Sequence, residues 1–295
     1  MINYFYKINR HLHKLYKYKS KSELEIHTQK ILKDRVATLA LATDSSTQWL
    51  EFQKKLITHI KNEDPINFLN WDVIRETMFY RGHLDEYMHI KNSINWEKIK
   101  KNINEDRVGR PEPFLLYRKS SGNLIHCAYE LDVIINILNI EIGSINSIFE
   151  FGGGYGSMCR YIYRYGFLGK YHIFDLAIFS MLQEYFLSNT SLENIKSGNI
   201  SLIYKQENLS DINDVDLFLA LWSFSETPLD FRNNILDKLP NAKMYAIGYQ
   251  EKYYEVDNIL YFDMFKKLKP NYEWTEVELT HEKGSKFLIG KIPSH

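Results

Sequence analysis

The stretch Ser147-Ile-Phe-Glu-Phe-Gly-Gly-Gly-Tyr-Gly-Ser157 decides how the rest of the 295-residue chain is read. A short apolar run leads into a turn holding four of the chain's 14 glycines, Gly152, Gly153, Gly154 and Gly156, and a helical pattern follows from Ser157. Strand, glycine turn, helix is the order in which an open parallel sheet builds a ligand site at the carboxyl end of a strand. Glycine belongs there because a missing Cβ lets the main chain turn sharply and lets a ligand approach it. A dinucleotide asks for G-x-G-x-x-G or A. Started at Gly152 the third place is Ser157; started at Gly153 the second is Tyr155; started at Gly154 the third is Cys159. No register fits, and no Gly-Lys-Ser or Gly-Lys-Thr follows to make a Walker loop.

Short apolar runs recur downstream at Tyr171 to Phe174, Ile200 to Tyr204, Asp216 to Leu221 and Met244 to Ile247. Helical patterns around Ser157 to Tyr165, Ile178 to Ser188 and Phe231 to Leu239 separate most of them. This alternation predicts an α/β fold, a mostly parallel Rossmann-like sheet with helices on both faces. Trp274 to Leu279 and Lys286 to Ile292 have no helix between them, which predicts an antiparallel edge. Upstream the chain reads as helical, with Ser22 and Glu25 at capping-box spacing, a helix over Gln48 to Lys61, another over Ile66 to Tyr80 and an apolar one over His126 to Leu138. Gly109, Pro111 and Pro113 break the pattern, so the expected division is a helical region over residues 1–103, serving as a lid, an oligomerisation surface or a membrane-surface contact, and a ligand-binding domain over 104–295.

An acid ends each of two strands. Glu150 precedes the turn, giving Glu150-x-Gly152-x-Gly154-x-Gly156, and Asp175 ends the next apolar run, nineteen residues past Gly156. The first pattern resembles motif I of the class I S-adenosylmethionine-dependent methyltransferases. The ligand's chemistry agrees: S-adenosylmethionine carries a sulfonium and an ammonium, which a carboxylate attracts, whereas the same carboxylate repels a pyrophosphate. A carboxylate at the end of the second strand can accept both ribose hydroxyls, and its alternative role is a helix cap. Tyr155 can offer its ring to the sulfonium or pack on the N-terminal helices.

A wider set of segments resembles the sugar O-methyltransferases of bacterial surface-polysaccharide biosynthesis. These are Glu105-Asp-Arg-Val-Gly-Arg-Pro111, Phe149-Glu-Phe-Gly-Gly-Gly-Tyr-Gly156 with Arg160, Asp175-Leu176 with Gln183, Tyr185, Phe186 and Leu187, and Ser223-Phe-Ser-Glu226. They span about two fifths of the chain, which departs from the pattern at Phe149, Phe151 and Ala177. The resemblance implies that Glu150, the four glycines including Gly153, Tyr155, Asp175, Leu176, Trp222 and Ser223 hold S-adenosylmethionine, and that the acceptor is a sugar hydroxyl. Such a hydroxyl needs a general base. Glu226, just past the fourth strand, is the first candidate, with helix capping before Pro228 as its other role. His281, between the last two strands, is the second and His126 the third. No metal site is expected: Asp211, Asp214 and Asp216 read as turn residues. The rival readings are a non-catalytic protein that keeps the fold and a nicotinamide-dependent oxidoreductase acting on nucleotide sugars.

Composition bounds the partners. Lys plus Arg and Asp plus Glu are 37 each, so no global positive field gathers nucleic acid, and Trp222-Ser223-Phe224 stands where base methyltransferases carry Asn or Asp, Pro-Pro and an aromatic. Cys127 and Cys159 show no metal spacing. Residues 1–21 hold six basic residues and no acid, with Phe5, Ile8, Leu12 and Leu15 at helical spacing. That helix can lie on an anionic membrane surface or pack on its own domain or a neighbouring subunit. No run approaches the about 18 apolar residues of a spanning helix, so the expected location is cytoplasmic, with peripheral contact at the inner membrane face as an option.

Overall fold

The computed structural model describes residues 22–41, 46–79, 83–190, 192, 198–279 and 281–293. The basic segment 1–21 lies outside the described residues. In chain order the helical part consists of α1 (Glu23–Ala37), α2 (Thr47–Asn62), a 3-10 turn (Pro65–Asn70), α3 (Asp72–Met78), α4 (His83–Asn92) and α5 (Trp96–Asn102). A hairpin, β1 (Pro113–Phe114) and β2 (Tyr117–Ser121), leads into α6 (Gly122–Leu138). Then come β3 (Ser147–Phe151), α7 (Ser157–Arg164), β4 (Lys170–Phe174), α8 (Ala177–Ser188), β5 (Ile200–Ile203), β6 (Val215–Leu221), α9 (Leu229–Leu236) and β7 (Ala242–Gln250). The short pair β8 (Lys252–Tyr253) and β9 (Val256–Asp257), α10 (Asn258–Leu268), β10 (Glu273–Glu278) and β11 (Ser285–Lys291) complete the chain.

Seven strands form one sheet in the order β5-β4-β3-β6-β7-β11-β10. The first five are mutually parallel, while β11 runs antiparallel to both β7 and β10. The chain steps outward from β3 to β5 on one side and restarts at β6 on the other, so the order switches between β3 and β6. This is the mostly parallel Rossmann-like sheet expected from the sequence, with its antiparallel edge. The edge strand β10 carries Glu273, Glu276 and Glu278 on exposed positions, charges that discourage pairing with another chain.

Period-two alternation sends each central strand's side chains to two separate cores. Ile148, Leu217, Leu219 and Ala246 face the side covered by α6, α7 and α8, and the helices before residue 103 extend that same apolar cluster through Leu32, Leu56 and Phe68. Phe149, Phe151, Phe218 and Tyr245 face α9 and α10. The helical region therefore shares one core with the sheet's first face.

Capping explains several helix starts. Ser22 Oγ accepts from Glu25 N at 3.1 Å and Ser121 Oγ from Leu124 N at 3.1 Å. The continuous helix expected over Ile66 to Tyr80 is two pieces. Trp71 is extended (ψ 143°), because the preceding turn is pinned sideways: Leu69 N donates to Gly109 O (3.2 Å) and Asn70 Nδ2 to Arg110 O (2.9 Å). The β1–β2 hairpin and α10 have no counterpart in the sequence reading.

A buried ion pair joins the helical region to the sheet. Arg160 on α7 is fully buried, with Asp106 at 2.7 Å and Glu105 at 2.9 Å, and its guanidinium lies 5.4 Å from the Phe186 ring centroid. Arg164, one turn on, reaches Asp106 at 2.7 Å. Removing one partner of such a pair leaves the other's charge stranded in the interior. Arg160→Met should therefore destabilise the fold by about 3–5 kcal/mol, seen as a lower denaturant midpoint. Arg164→Met, at a more accessible position, should cost about 1 kcal/mol.

Candidate active site

The glycine turn is fixed by three contacts that the sequence alone does not display. Gly152, Gly154 and Gly156 all have left-handed backbone, with φ of +74°, +58° and +93°. A Cβ on Gly152 would come within 2.3 Å of Ser223 Cβ, so the turns after β3 and β6 pass too closely for any side chain there. Gly153 needs its hydrogen for space: a Cβ would meet Ile173 Cγ2 at 2.6 Å and Glu150 Oε2 at 2.9 Å. The strand-end acid thus excludes a side chain from the turn it precedes.

Asp175 ties the turn to the neighbouring strand. Its Oδ2 accepts from Gly154 N (3.1 Å) and Gln183 Nε2 (2.9 Å), and its Oδ1 from Leu176 N (2.7 Å). Gln183 also donates to Gly154 O at 2.9 Å, closing the ring. The capping role weighed for this acid is not the observed one, since α8 has Leu176 at its N-cap and no side-chain cap bond. Burial pushes the Asp175 carboxyl up to about 7, against the hydrogen bonds that favour its ionised form.

These residues open onto a cavity of about 970 Å³ at the carboxyl ends of β3 to β7, at the upper end of what one small ligand needs. Its wall includes Glu150, Gly152, Gly153, Gly154, Asp175, Leu176, Trp222, Ser223 and Glu226, whereas Gly156, expected to hold the ligand, is not in the wall and faces Leu187 instead. Glu150 is buried and accepts from Tyr171 Oη at 3.0 Å; burial moves it up to about 8. Tyr155 also lines the cavity, but its ring is held edge-on by Phe68 and Phe186, and its hydroxyl accepts from Asn123 at 3.1 Å. Trp222 sits at φ +71°, a strained position for a side-chain-bearing residue that turns the chain sharply at the end of β6.

Glu226 ends a 3-10 turn, Phe224–Glu226, and faces the cavity. No side chain caps α9. Gln250 Nε2 lies 3.5 Å from Glu226 Oε1, and burial moves the carboxyl up to about 7, where it can take or release a proton near neutral pH.

His281 does not reach the wall. Its Nε2 is 3.4 Å from Glu86 and its ring packs edge-on against Tyr129, while the next residue, Glu282, lines the cavity. The residue adjacent in sequence points outward from the hairpin toward the site, and the histidine is drawn into a buried network.

That network is centred on His126 and Glu130, both in the cavity wall. His126 Nδ1 is 2.6 Å from Glu86 and its Nε2 3.2 Å from Glu130. Burial alone would favour neutral imidazole, but Glu130 and Glu86 on its two nitrogens hold His126 well above its usual range and favour the imidazolium. Burial raises Glu86 and the facing histidines, His126 and His83, more than offset it, bringing the acid to about 2. Glu130 Oε1 also accepts the Trp222 indole N–H at 2.8 Å, tying the strained strand end to α6. Glu130 and Glu86 were not singled out from the sequence. Their only signal was the i, i+4 spacing of His126 and Glu130. Among the described residues no group of three or more His, Cys, Asp or Glu is arranged to hold a metal ion, and no helix is long and apolar enough to cross a membrane.

The donor set fits S-adenosylmethionine. The wall carries seven acids (Glu76, Glu130, Glu150, Asp175, Glu207, Glu226 and Glu282) against Lys205, Lys238 and His126. Such a wall suits a ligand with a sulfonium and an ammonium and repels a pyrophosphate. Glu150 and the glycine turn would hold the methionine portion, and Asp175 with Leu176 the ribose.

No protein-family model matches the sequence, and no curated protein does. Among solved structures the chain is similar to a SAM-dependent methyltransferase from Aquifex aeolicus (18% identity over 54% of this chain and 88% of that one, TM-score 0.40). It is also similar to the 16S rRNA methylase ArmA (17%, 56% and 85%, TM-score 0.38) and to precorrin-6y C5,15-methyltransferase from Geobacter metallireducens (14%, 54% and 85%, TM-score 0.37). At these values the fold assignment rests on this chain's own strand order and directions.

Proposed function

We propose that the protein is an S-adenosylmethionine-dependent O-methyltransferase whose acceptor is a sugar hydroxyl, acting in the assembly of a bacterial surface polysaccharide. The observation that carries the cofactor reading is the ring of hydrogen bonds between Asp175, Gly154 and Gln183 in the wall of an acid-rich cavity. The sugar reading draws on the sequence resemblance and is supported by the wall's mixture of carboxylates with the rings of Trp49, Phe79 and Trp222. The same excess of negative charge argues against a nucleic-acid acceptor.

When bound, S-adenosylmethionine supplies a methyl group on a sulfonium, whose carbon–sulfur bond breaks as the acceptor's oxygen–carbon bond forms. The chain's own contribution is alignment and proton handling. Asp175 accepts from hydroxyls at the end of β4, the glycine turn leaves room for close approach, and the buried wall excludes water. Glu226 accepts the proton of the reacting hydroxyl, and Gln250 orients its carboxylate.

Three outcomes test this. Calorimetry should detect saturable binding of S-adenosylmethionine or S-adenosylhomocysteine, and Asp175→Ala should weaken it about 10- to 100-fold, the worth of one or two hydrogen bonds to a charged group. No saturable binding to the unaltered protein sinks the proposal. Glu226→Gln should lower kcat about 10²- to 10⁴-fold with cofactor affinity kept, and should remove the rise in rate as pH passes through about 7. Binding of a cation favours the ionised forms of Glu150 and Asp175, so it should release protons. Affinity for S-adenosylmethionine should then increase as pH rises through about 7 to 8, and titrations in buffers of different ionisation enthalpy should show proton release.

A further inference from the structure

The cavity has two chemically different halves, and the sheet order separates them. Most residues assigned to the cofactor lie at the ends of β3 and β4, and Trp222 and Ser223, just past β6, stand where the two halves meet. Both lysines of the wall belong to that half: Lys205 follows β5, and Lys238 reaches across to Gln206 Oε1 at 2.9 Å. The other half is built by residues that follow β6 and β7, by the turn before β11, and by α6. There the wall carries Glu226, Glu282 and Glu130, with Gln250 at Glu226. Its single cation, His126, is shared between Glu130 and the buried Glu86. No lysine or arginine lines this half among the described residues. Counting Glu86 behind the wall, this half holds four acids, on α4, on α6 and in the turns after β6 and before β11, with one histidine held between two of them.

We propose that this half selects an amino sugar, with its ammonium paired to Glu282, and rejects sugars that bring a phosphate into the cavity. This rests on the methyltransferase reading above and adds the acceptor's charge to it. A phosphate here would add negative charge to a wall that already has a surplus and has no guanidinium or ammonium to pair with it. An ammonium supplies the missing counter-charge, and the neighbouring hydroxyls donate to the remaining carboxylate oxygens. Glu282 acts on specificity: it sits in the hairpin turn facing His126 and His281, away from the reacting proton assigned to Glu226. Methylation then precedes N-acylation of the sugar and takes place on a phosphate-free ring.

The test uses the full chain saturated with S-adenosylhomocysteine, and binding of that compound is measured first, so that failure of the cofactor reading is seen separately. Glucosamine, glucose and glucosamine 6-phosphate are then titrated and followed by saturation-transfer NMR. Glucosamine should bind saturably, glucose more weakly, and glucosamine 6-phosphate about tenfold more weakly than glucosamine or worse. Glu282→Gln should narrow the gap between glucosamine and its phosphate while leaving S-adenosylhomocysteine affinity unchanged. Equal or tighter binding of the phosphate ester, no saturable binding of glucosamine, or a gap that Glu282→Gln leaves intact overturns the proposal even where S-adenosylhomocysteine binds.

Discussion

The carboxylate of Asp175 is the point from which the site is organised. One oxygen accepts from Gly154 N and from Gln183, the other from Leu176 N, so a single acid fixes the glycine turn, the end of β4 and the first turns of α8 relative to one another. Backbone N–H groups in a left-handed turn have no strand or helix partner of their own, and a buried unpaired donor costs about 1–3 kcal/mol. Asp175 satisfies one of these donors. Gly152 N finds another acceptor in Phe174 O at 2.7 Å. The turn is thus held open by groups from the neighbouring strand, and its shape before any ligand arrives is already that of a cradle.

Two further close approaches leave that cradle little freedom. Gly153 abuts the carboxylate of Glu150, and Gly152 abuts Ser223, whose hydroxyl donates to Phe151 O. The three strand ends β3, β4 and β6 are consequently one unit, a geometry that loops of ordinary residues would leave soft. Behind it, Arg160 anchors the helix that follows the turn to Glu105 and Asp106, residues of the connection out of the helical region. The Glu105 to Pro111 segment and Arg160, which the sequence resemblance groups together without a reason, are two ends of one buried charge cluster.

The strands were legible because their signal is local. β3 has the bounds expected for it, and β4, β5 and β6 fall within a residue of theirs, since an apolar run between turn residues needs no distant partner to be recognised. The glycine turn and both strand-end acids were legible for the same reason. What escaped reading depends on contacts between residues far apart in the chain. The break at Trp71 is imposed by a loop about forty positions later, through Asn70 and Arg110. Glu86 and His126 are also forty positions apart, and nothing in the surroundings of either announces a histidine held between two acids. His281 and Glu282 show the limit at its finest. A histidine in a hairpin was the chemically attractive residue, yet which neighbour faces the cavity is settled by the Tyr129 ring and Glu86 on the opposing helices. Gly153, which fits no alternation of the motif, has a steric explanation only once the Glu150 side chain is in place.

Burial of so many acids has a thermodynamic consequence that links fold to function. Glu150, Asp175 and Glu226 have carboxyls moved up to about 8, 7 and 7, so the folded, ligand-free protein holds protons that the unfolded chain releases near the usual carboxylate value of about 4. For groups raised in this direction the contribution to stability is fully present below the unfolded value and is lost as pH rises through the folded values. At neutral pH the site is therefore a cost to the fold, one that the apolar clusters on both faces of the sheet must offset. A cation beside Glu150 and Asp175 would favour their ionised forms and so offset part of that cost, which ties binding and stability to the same protons.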